Sequence, residues 1–300
     1  MLSLRMLGAL PFGLLYGFAA VLAFIARYVV RFKVHIVRDN LAGCFPQASA
    51  REINALVNAY YRQLGQVVAE ILKTTGLSRE QLAAHFTTEN FESICAETSA
   101  GRSVLVLGAH TSNWEWGLHG VTLNVPVQVD AAYKPLHSER ADRQLRLQRC
   151  RYGANMIAAK RLLREVIARR RQLGVHCVAM HADQMPTSSQ SRHWLTFLGR
   201  DTAFYPGPGE IARITGYATF FMVVRRIARG RYKLIAQPLS AAQEKLDPAV
   251  FTARYAAAVE AEIRQRPADW MWIHRRWKGE RPAEPVATAT VAAPALDARR

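Results

Sequence analysis

The chain has 300 residues, half of them hydrophobic, which provides for a sizeable buried core and excludes a disordered chain. Forty Lys and Arg against 23 Asp and Glu give a formal net charge of +17. This excess predicts an anionic partner: nucleic acid, an anionic membrane surface or an acidic protein. The four cysteines stand apart without a Cys-x-x-Cys pair, which argues against a zinc ribbon and favours reduced thiols in a cytoplasmic compartment.

The N-terminal segment is the first predicted element. Residues 6–26 carry no charge, and about 20 apolar residues suffice to cross a bilayer as a helix. Four basic residues follow directly: Arg27, Arg31, Lys33 and Arg38. By the positive-inside rule, the bulk of the chain then lies on the cytoplasmic side. We predict an N-terminal membrane helix over 1–28, which either spans the bilayer or lies in its surface.

Two helices are predicted next along the chain. Over 47–72, apolar residues recur at helical spacing. Ser49 and Glu52 have the spacing of a capping box, which favours a helix start at this point. A shorter helix is predicted over 78–85.

Beyond residue 100, short apolar runs alternate with helical patterns. The apolar runs cover 104–107, 125–132, 175–180, 220–224 and 234–236. The helical patterns cover 113–121, 138–151, 160–173, 208–215 and 248–265. This alternation predicts an α/β domain over 29–280, with a central, mostly parallel sheet flanked by helices. Residues 281–300 are rich in Ala and Pro without an apolar face, and we predict that they form a disordered tail.

A histidine and a carboxylate follow the first apolar run. Ligands of parallel sheets usually bind at the carboxyl ends of strands, and His110 and Asp183 each come just after such a run. Glu115 comes five residues after His110, with Asn113 between them as a suitable N-cap residue. With His110 on the loop and Glu115 in the first helical turn, the carboxylate can reach one imidazole nitrogen. The other nitrogen is then free to act as a general base.

Spacing alone leaves the alternative of a histidine that merely fixes a turn. The same pattern recurs at His137 and Asp142, in a charged stretch typical of a solvated helix face. No Gly-x-Ser-x-Gly motif supplies a nucleophile, so direct attack by a substrate hydroxyl on an activated acyl group fits the pattern best.

Seven short motifs occur in order along the chain. They are NLAGCFP (40–46), GAHTSNWE (108–115), YKP (133–135), RCRYGANMI (149–157), ADQ (182–184), FLGR (197–200) and DWMWIHRRWK (269–278). Together they resemble the lipid A biosynthesis acyltransferases, which belong to the lysophospholipid acyltransferase superfamily. The resemblance covers residues 1–280 and implies a glycerolipid acyltransferase-like fold.

The resemblance also implies an activity. Members of the family are membrane-bound on the cytoplasmic face of the bacterial inner membrane. They move a fatty acyl group from acyl carrier protein to a hydroxyl of a lipid A precursor or related lysolipid, without a metal or other cofactor. A close alternative is a member of the same family that acts on a specialised lipid other than lipid A.

The site residues follow from the motifs that match. The resemblance places the catalytic dyad on His110 and Glu115. It places the functional arginine on Arg149, with Arg151 as the neighbouring alternative, and the acidic residue of a later strand on Asp183. We expect Asp183 to orient Arg149 or a substrate hydroxyl, and we count Asn113 with these substrate-binding candidates.

The basic charge suits the partners that the resemblance implies. Acyl carrier protein is acidic, the glycolipid acceptor carries phosphates and the membrane surface is anionic. Arginine binds such groups through charge-assisted, bidentate hydrogen bonds, and Arg149 and Arg151 are the candidates near the site. The arginines at 169–171, 225–226 and 275–276 are interpreted as solvated or headgroup-facing surface.

Two rival functions come from other features. A metal-dependent hydrolase could use His110, His176, His181 and Asp183, although His176 and His181 would point to opposite faces of one strand. A basic membrane protein that binds nucleic acid fits the composition, but no helix-turn-helix, RRM or zinc signature appears. We therefore expect neither a metal nor a nucleic-acid partner.

Overall fold

The computed structural model describes residues 2–172, 174–186, 192–279 and 281. The helices are α1 (Leu2–Ala9), α2 (Phe12–Phe24), α3 (Val34–Cys44), α4 (Ala50–Thr74), α5 (Arg79–Ala83), α6 (Phe91–Ser99), α7 (Trp114–Asn124), α8 (Glu139–Arg149), α9 (Leu162–Gln172), α10 (Gly207–Thr215) and α11 (Pro248–Gln265). A π-helical turn (Ile25–Val29) continues α2, and two 3₁₀ turns cover Ala159–Arg161 and Pro267–Asp269. The strands are β1 (Phe86–Glu89), β2 (Val104–Gly108), β3 (Gln128–Tyr133), β4 (Asn155–Ala158), β5 (His176–His181), β6 (His193–Phe197), β7 (Arg200–Phe204), β8 (Ala218–Ala228) and β9 (Arg231–Ser240). Except for residue 281, the predicted tail lies outside the described residues.

A seven-stranded sheet with the order β1-β9-β8-β2-β5-β3-β4 forms the centre of the molecule. Strands β8, β2, β5, β3 and β4 run parallel to one another. Strand β9 pairs antiparallel with β8, and β1 runs parallel to β9. The predicted central, mostly parallel sheet flanked by helices is confirmed.

The sheet has a hydrophobic core on each face, which explains why its strands are continuous apolar runs. Alternate residues of β2 enter different cores: Leu105 and Leu107 pack on one side, and Val104 and Val106 on the other. Helices α4 and α11 cover the first face, and α6 and α7 cover the second. Both faces are therefore closed, and ligand access is left to the ends of the strands.

The last two strands of the sheet, β8 and β9, depart from the predicted alternation of strands and helices. The predicted runs at 220–224 and 234–236 belong to one long antiparallel hairpin, in which Gly230 turns the chain at φ +67°. A separate antiparallel pair, β6 and β7, was not predicted, nor were α3, α6, β1 and β4. Strand β1 reads FTTE and is largely exposed, so its sequence has no buried face to indicate a strand.

The N-terminal helix packs along α4 in the opposite direction. Arg27 donates to Asn58 at 3.0 Å near one end, and Lys73 donates to the Leu10 carbonyl at 2.8 Å near the other. Between these contacts, a Cβ atom on Gly65 would come within 2.9 Å of the Ala19 carbonyl oxygen. Helix α4 starts at the predicted capping box of Ser49 and Glu52, which is confirmed. Its other face, including Ile53 and Val57, belongs to the core.

Candidate active site

Strand pairing brings His110 and Asp183 together. Strands β2 and β5 are parallel neighbours in which Gly108 pairs with His181, and each site residue lies two positions beyond its strand. The His110 ring Nδ1 lies 2.7 Å from Asp183 Oδ1, and the His110 backbone N–H donates to Asp183 Oδ2 at 2.9 Å. The carboxylate accepts a hydrogen bond from Nδ1–H, which leaves the lone pair on Nε2. Within the described residues, Nε2 has no hydrogen-bond partner.

Asp183 is completely buried and held in its ionised form. A third hydrogen bond comes from the Trp270 indole N–H to Oδ2 at 2.8 Å. Burial alone would raise the pKa of Asp183, but the charge of His110 and the hydrogen bonds from His110 and Trp270 hold it well below its usual value. An ionised carboxylate beside Nδ1 fixes the imidazole tautomer and stabilises its protonated form.

Glu115 pairs with Arg149 rather than with His110. Its two carboxylate oxygens accept from Arg149 Nε at 2.9 Å and Nη2 at 2.5 Å. Burial would raise the pKa of Glu115, but the hydrogen bonds and charge of Arg149 outweigh it and lower the pKa. The predicted contact of Glu115 with an imidazole nitrogen of His110 is therefore corrected, since Asp183 occupies that position. The reason is long-range: Glu115 lies in the first turn of α7, next to the end of α8, which carries Arg149.

The other candidates have contacts of their own. Asp183 was expected to orient Arg149 or a substrate hydroxyl, but it orients His110. Arg151 Nη2 donates to the Leu77 carbonyl at 3.2 Å, away from the Glu115 pair. Asn113 caps α7 by accepting from the Trp116 backbone N–H, and its amide donates to the buried Glu70 at 2.7 Å. Asn113 thus shapes the loop, and its role in substrate binding stays a prediction.

The loop that carries His110 is completed by the C-terminal segment. The Ser112 backbone N–H donates to the Asp269 carbonyl at 2.7 Å, and the Met271 N–H donates to the His110 carbonyl at 3.0 Å. Thr111 forms a β-bridge with Trp270 between these bonds. Ser112 has φ +52°, a backbone conformation that costs energy for a residue other than glycine. These contacts hold the strained loop in place.

Comparison with known proteins identifies the family. A family model described as bacterial lipid A biosynthesis acyltransferase matches residues 1–279. The chain belongs to this family. It is 25% identical over 270 residues to the lipid A biosynthesis palmitoleoyltransferase of Escherichia coli K12, covering 90% of this chain and 86% of the relative. The lauroyltransferase of the same organism is 26% identical over 271 residues, covering 90% and 87%.

A third relative is also named as a lipid A biosynthesis enzyme. The lipid A biosynthesis acyltransferase of Shigella flexneri is 25% identical over 270 residues, covering 90% of this chain and 86% of the relative. The resemblance drawn from the motifs is confirmed, and the chain is an acyltransferase of the lipid A biosynthesis family.

Three aromatic side chains of this candidate site were not among the acyltransferase residues expected from the sequence. Trp270 holds Asp183, and the rings of Trp114 and His181 lie 5.7 Å and 4.7 Å from the His110 ring. Trp270 lies in the motif 269–278, to which no site residue was assigned. The loop pairing with His110 was the missing information, and a single sequence does not contain it.

The alternative of a metal-dependent hydrolase gains no support. No three His, Cys, Asp or Glu side chains are placed to hold a metal ion in the part of the chain that the structure describes. His176 and His181 lie at opposite ends of β5, and His176 contacts the Tyr217 hydroxyl at 3.4 Å. Of the four proposed ligands, His176 therefore lies apart from the other three. All four cysteines of the acyltransferase are free thiols, as predicted.

Proposed function

We propose that this acyltransferase moves a fatty acyl group from acyl carrier protein to a hydroxyl of a lipid A precursor, at the cytoplasmic face of the bacterial inner membrane. The family match supports the reaction class and the lipid acceptor. The formal charge of +17 supports an acidic carrier and a phosphorylated acceptor. One observation carries the chemistry: His110 Nδ1 lies 2.7 Å from the buried Asp183 carboxylate, leaving Nε2 free to accept a proton.

The proposed reaction is a direct transfer. His110 Nε2 removes the proton of the acceptor hydroxyl while its oxygen attacks the carbonyl carbon of the acyl thioester. A carbon–oxygen bond forms, the carbon–sulfur bond breaks and the leaving thiolate takes the proton from the imidazolium. Asp183 stabilises the imidazolium between these steps. General-base catalysis of this kind contributes about 10²- to 10⁴-fold in rate.

In this proposal Glu115 acts on Arg149 and does not contact His110 directly. Its carboxylate fixes Arg149 through two hydrogen bonds, so that Arg149 Nη1 has no partner among the described residues. A guanidinium held in this way suits a phosphate oxygen of the acceptor or the oxygen of the acyl carbonyl. Arg151 remains the alternative for this role if Arg149 proves dispensable.

The chain offers a matched control for the decisive experiment. His137 and Asp142 repeat the spacing of His110 and Glu115, but His137 is exposed on the approach to α8. Purified full-length protein in mixed micelles is assayed with acyl carrier protein bearing a laurate, and with lauroyl coenzyme A, on a phosphorylated lipid A precursor.

His110→Gln is expected to lose transfer by at least about 100-fold, and His137→Gln to keep it. Equal loss in both variants, or near-normal turnover by His110→Gln, contradicts the proposed base. Faster transfer from coenzyme A than from the carrier protein contradicts the proposed donor.

A further inference from the structure

The N-terminal helix lies flat on the catalytic domain over its whole length. Helix α2 and the π-helical turn form the segment Phe12–Val29, which is apolar enough to cross a membrane by length and composition. At about 1.5 Å per residue it measures about 27 Å, close to the roughly 30 Å of a hydrocarbon core. Leu15, Ala19 and Ala23 form its buried face, which packs on α4 around Gly65. A helix clamped in this way cannot cross a bilayer without its partner.

The surface of the domain beside this helix is unsuited to a bilayer interior. Arg62 of α4 is exposed and lies one turn from Gly65, opposite the middle of the apolar segment. Arg229 is also exposed, and its guanidinium lies 5.1 Å from the centre of the Tyr16 ring. If the segment spanned the membrane, both arginines would lie within the hydrocarbon, where charged side chains are strongly disfavoured.

The outward face of the segment has the opposite character. Leu14, Phe18, Val21 and Phe24 are between 54% and 62% exposed although all are large and apolar. Further exposed apolar side chains continue the face: Ile25, Val29, Val30 and Phe32. Monomeric proteins rarely leave so large a contiguous apolar surface in water, and such a surface marks an interaction site.

The charges around this face select the kind of partner. Arg27, Arg31 and Lys33 follow the apolar residues, and the chain contains no Asp or Glu before Asp39. A row of cations next to an apolar helix face matches anionic lipid headgroups above acyl chains. A second copy of this chain would instead bring the same cations together, which is unfavourable.

We propose that the segment Phe12–Val29 lies in one leaflet of the membrane as an interfacial anchor and does not cross the bilayer. This inference rests on the proposed function for the presence of a membrane and adds how the enzyme sits on it. The outward apolar residues enter the acyl region of the leaflet. The adjacent Arg27, Arg31 and Lys33 meet anionic phospholipid headgroups.

The depth of labels along the helix in a bilayer distinguishes a helix that lies in one leaflet from one that spans the membrane. Single cysteines replace Leu14, Val21 or Val29 in a chain with Cys95→Ser and Cys150→Ser, since the other two native thiols are buried. Each is labelled with an environment-sensitive fluorophore and quenched by lipids spin-labelled at different depths, in vesicles of phosphatidylethanolamine and phosphatidylglycerol. Glu92→Cys on the body of the domain is the control.

A lying helix gives similar shallow depths for all three labels, about 5–10 Å into the headgroup and acyl boundary. A spanning helix places the Val21 label about 10 Å deeper than the labels near its ends, by the rise per residue. That pattern overturns the proposal. So does shielding of all three labels from the lipid quenchers with cross-linking between copies, which would indicate a dimer face.

Binding of charge variants to vesicles completes the test. Arg31→Gln and Lys33→Gln are each expected to weaken binding to these anionic vesicles about fivefold, but not binding to phosphatidylcholine vesicles. Arg102→Gln, which removes a cation just before β2 and outside the apolar segment, is the control and is expected to leave vesicle binding unchanged. Equal losses of binding in all three variants contradict the assignment of Arg31 and Lys33. Neither readout needs acyl transfer, so an inactive enzyme with a flat depth profile contradicts only the proposed function. An active enzyme with a deep centre contradicts only this inference.

Discussion

Asp183 accepts both hydrogen bonds that position His110, from the ring Nδ1 at 2.7 Å and from the backbone N–H at 2.9 Å. Asp183→Asn should therefore lower kcat by about 10²- to 10⁴-fold. An amide in this place can donate to Nδ1, which moves the ring proton to Nε2 and removes the base. Steady-state kinetics give the value, and a melting curve shows that the fold is retained. Asp142→Asn is the control, and a kcat of Asp183→Asn within threefold of the parent enzyme argues against the pair.

The ion pair of Glu115 and Arg149 predicts non-additive losses. If Glu115 acts by holding Arg149, then Glu115→Gln and Arg149→Met each lower kcat/KM, and the double variant is no worse than the more damaged single one. A full double-mutant cycle with both substrates measures the coupling. Additive losses would show that the two residues act separately. Arg151→Met is expected to have a smaller effect, because its guanidinium donates to a backbone carbonyl outside this pair.

Burial of His119 predicts a loss of stability in mild acid. Burial lowers the pKa of His119 to about 4, against about 6.5 for an unfolded histidine. Between these values the unfolded chain binds a proton that the folded chain does not. The free energy of unfolding therefore falls as the pH falls from about 6.5 to 4, by up to about 1.4 kcal/mol per pH unit from this group.

Denaturant unfolding between pH 4 and 8 measures this slope. His119→Gln should reduce it by that amount whatever its effect at neutral pH, and His137→Gln, at an exposed position, should leave it unchanged. An identical slope in His119→Gln and the parent would contradict the assignment.

The packing of the N-terminal helix predicts opposite effects for one substitution at two glycines. Alanine in place of a helical glycine usually stabilises by about 1 kcal/mol, and Gly17 has open space around it. At Gly65 the new methyl group would lie 2.9 Å from both the Ala19 carbonyl oxygen and the Ala23 Cβ. Gly65→Ala should therefore destabilise by about 1–3 kcal/mol, the usual cost of overpacking. Unfolding in detergent compares the two, and stabilisation by both would show that α2 does not pack on α4.

Glu70 connects the N-terminal helix to the loop that follows His110. Its carboxylate accepts from Tyr16 at 2.9 Å, Asn113 at 2.7 Å, Tyr232 at 2.5 Å and the Gly230 backbone N–H at 3.2 Å. Tyr16→Phe removes one donor to a charged acceptor and should lower the free energy of unfolding by about 1.5–3 kcal/mol.

Tyr28→Phe on the same segment is the matched control for this prediction. The Tyr28 hydroxyl has no hydrogen bond among the described residues, so its loss should leave stability unchanged. Equal melting temperatures for Tyr16→Phe and Tyr28→Phe would show that the bond to Glu70 contributes little.

Local patterns predicted much of the fold. Helix α11 matches its predicted bounds of 248–265 because Asp247 caps it, Pro248 starts it and its apolar residues have helical spacing. Strand β2 was identified because burial on both faces makes it continuously apolar. Short exposed elements such as β1 were missed because burial, the physical cause of such a pattern, is absent there.

The contacts within the candidate site could not be predicted in the same way. His110 and Asp183 were placed at the carboxyl ends of strands, but β5 inserts between β2 and β3, and no local pattern encodes that order. Glu115 was chosen as the partner of His110 because it is near in sequence. The carboxylate that contacts the imidazole instead comes from a neighbouring strand, and Glu115 pairs with Arg149 from the end of another helix.

The bridge between Thr111 and Trp270 forms late in the synthesis of the chain. The loop at position 110 is closed by backbone bonds to positions 269 and 271, so a chain still emerging from the ribosome contains His110 before the C-terminal segment that orders it. Tryptophan 270 also supplies one of the bonds that hold the Asp183 carboxylate. A nascent chain therefore cannot form the Thr111–Trp270 bridge or the bond from Trp270 to Asp183 before position 271 has left the ribosome.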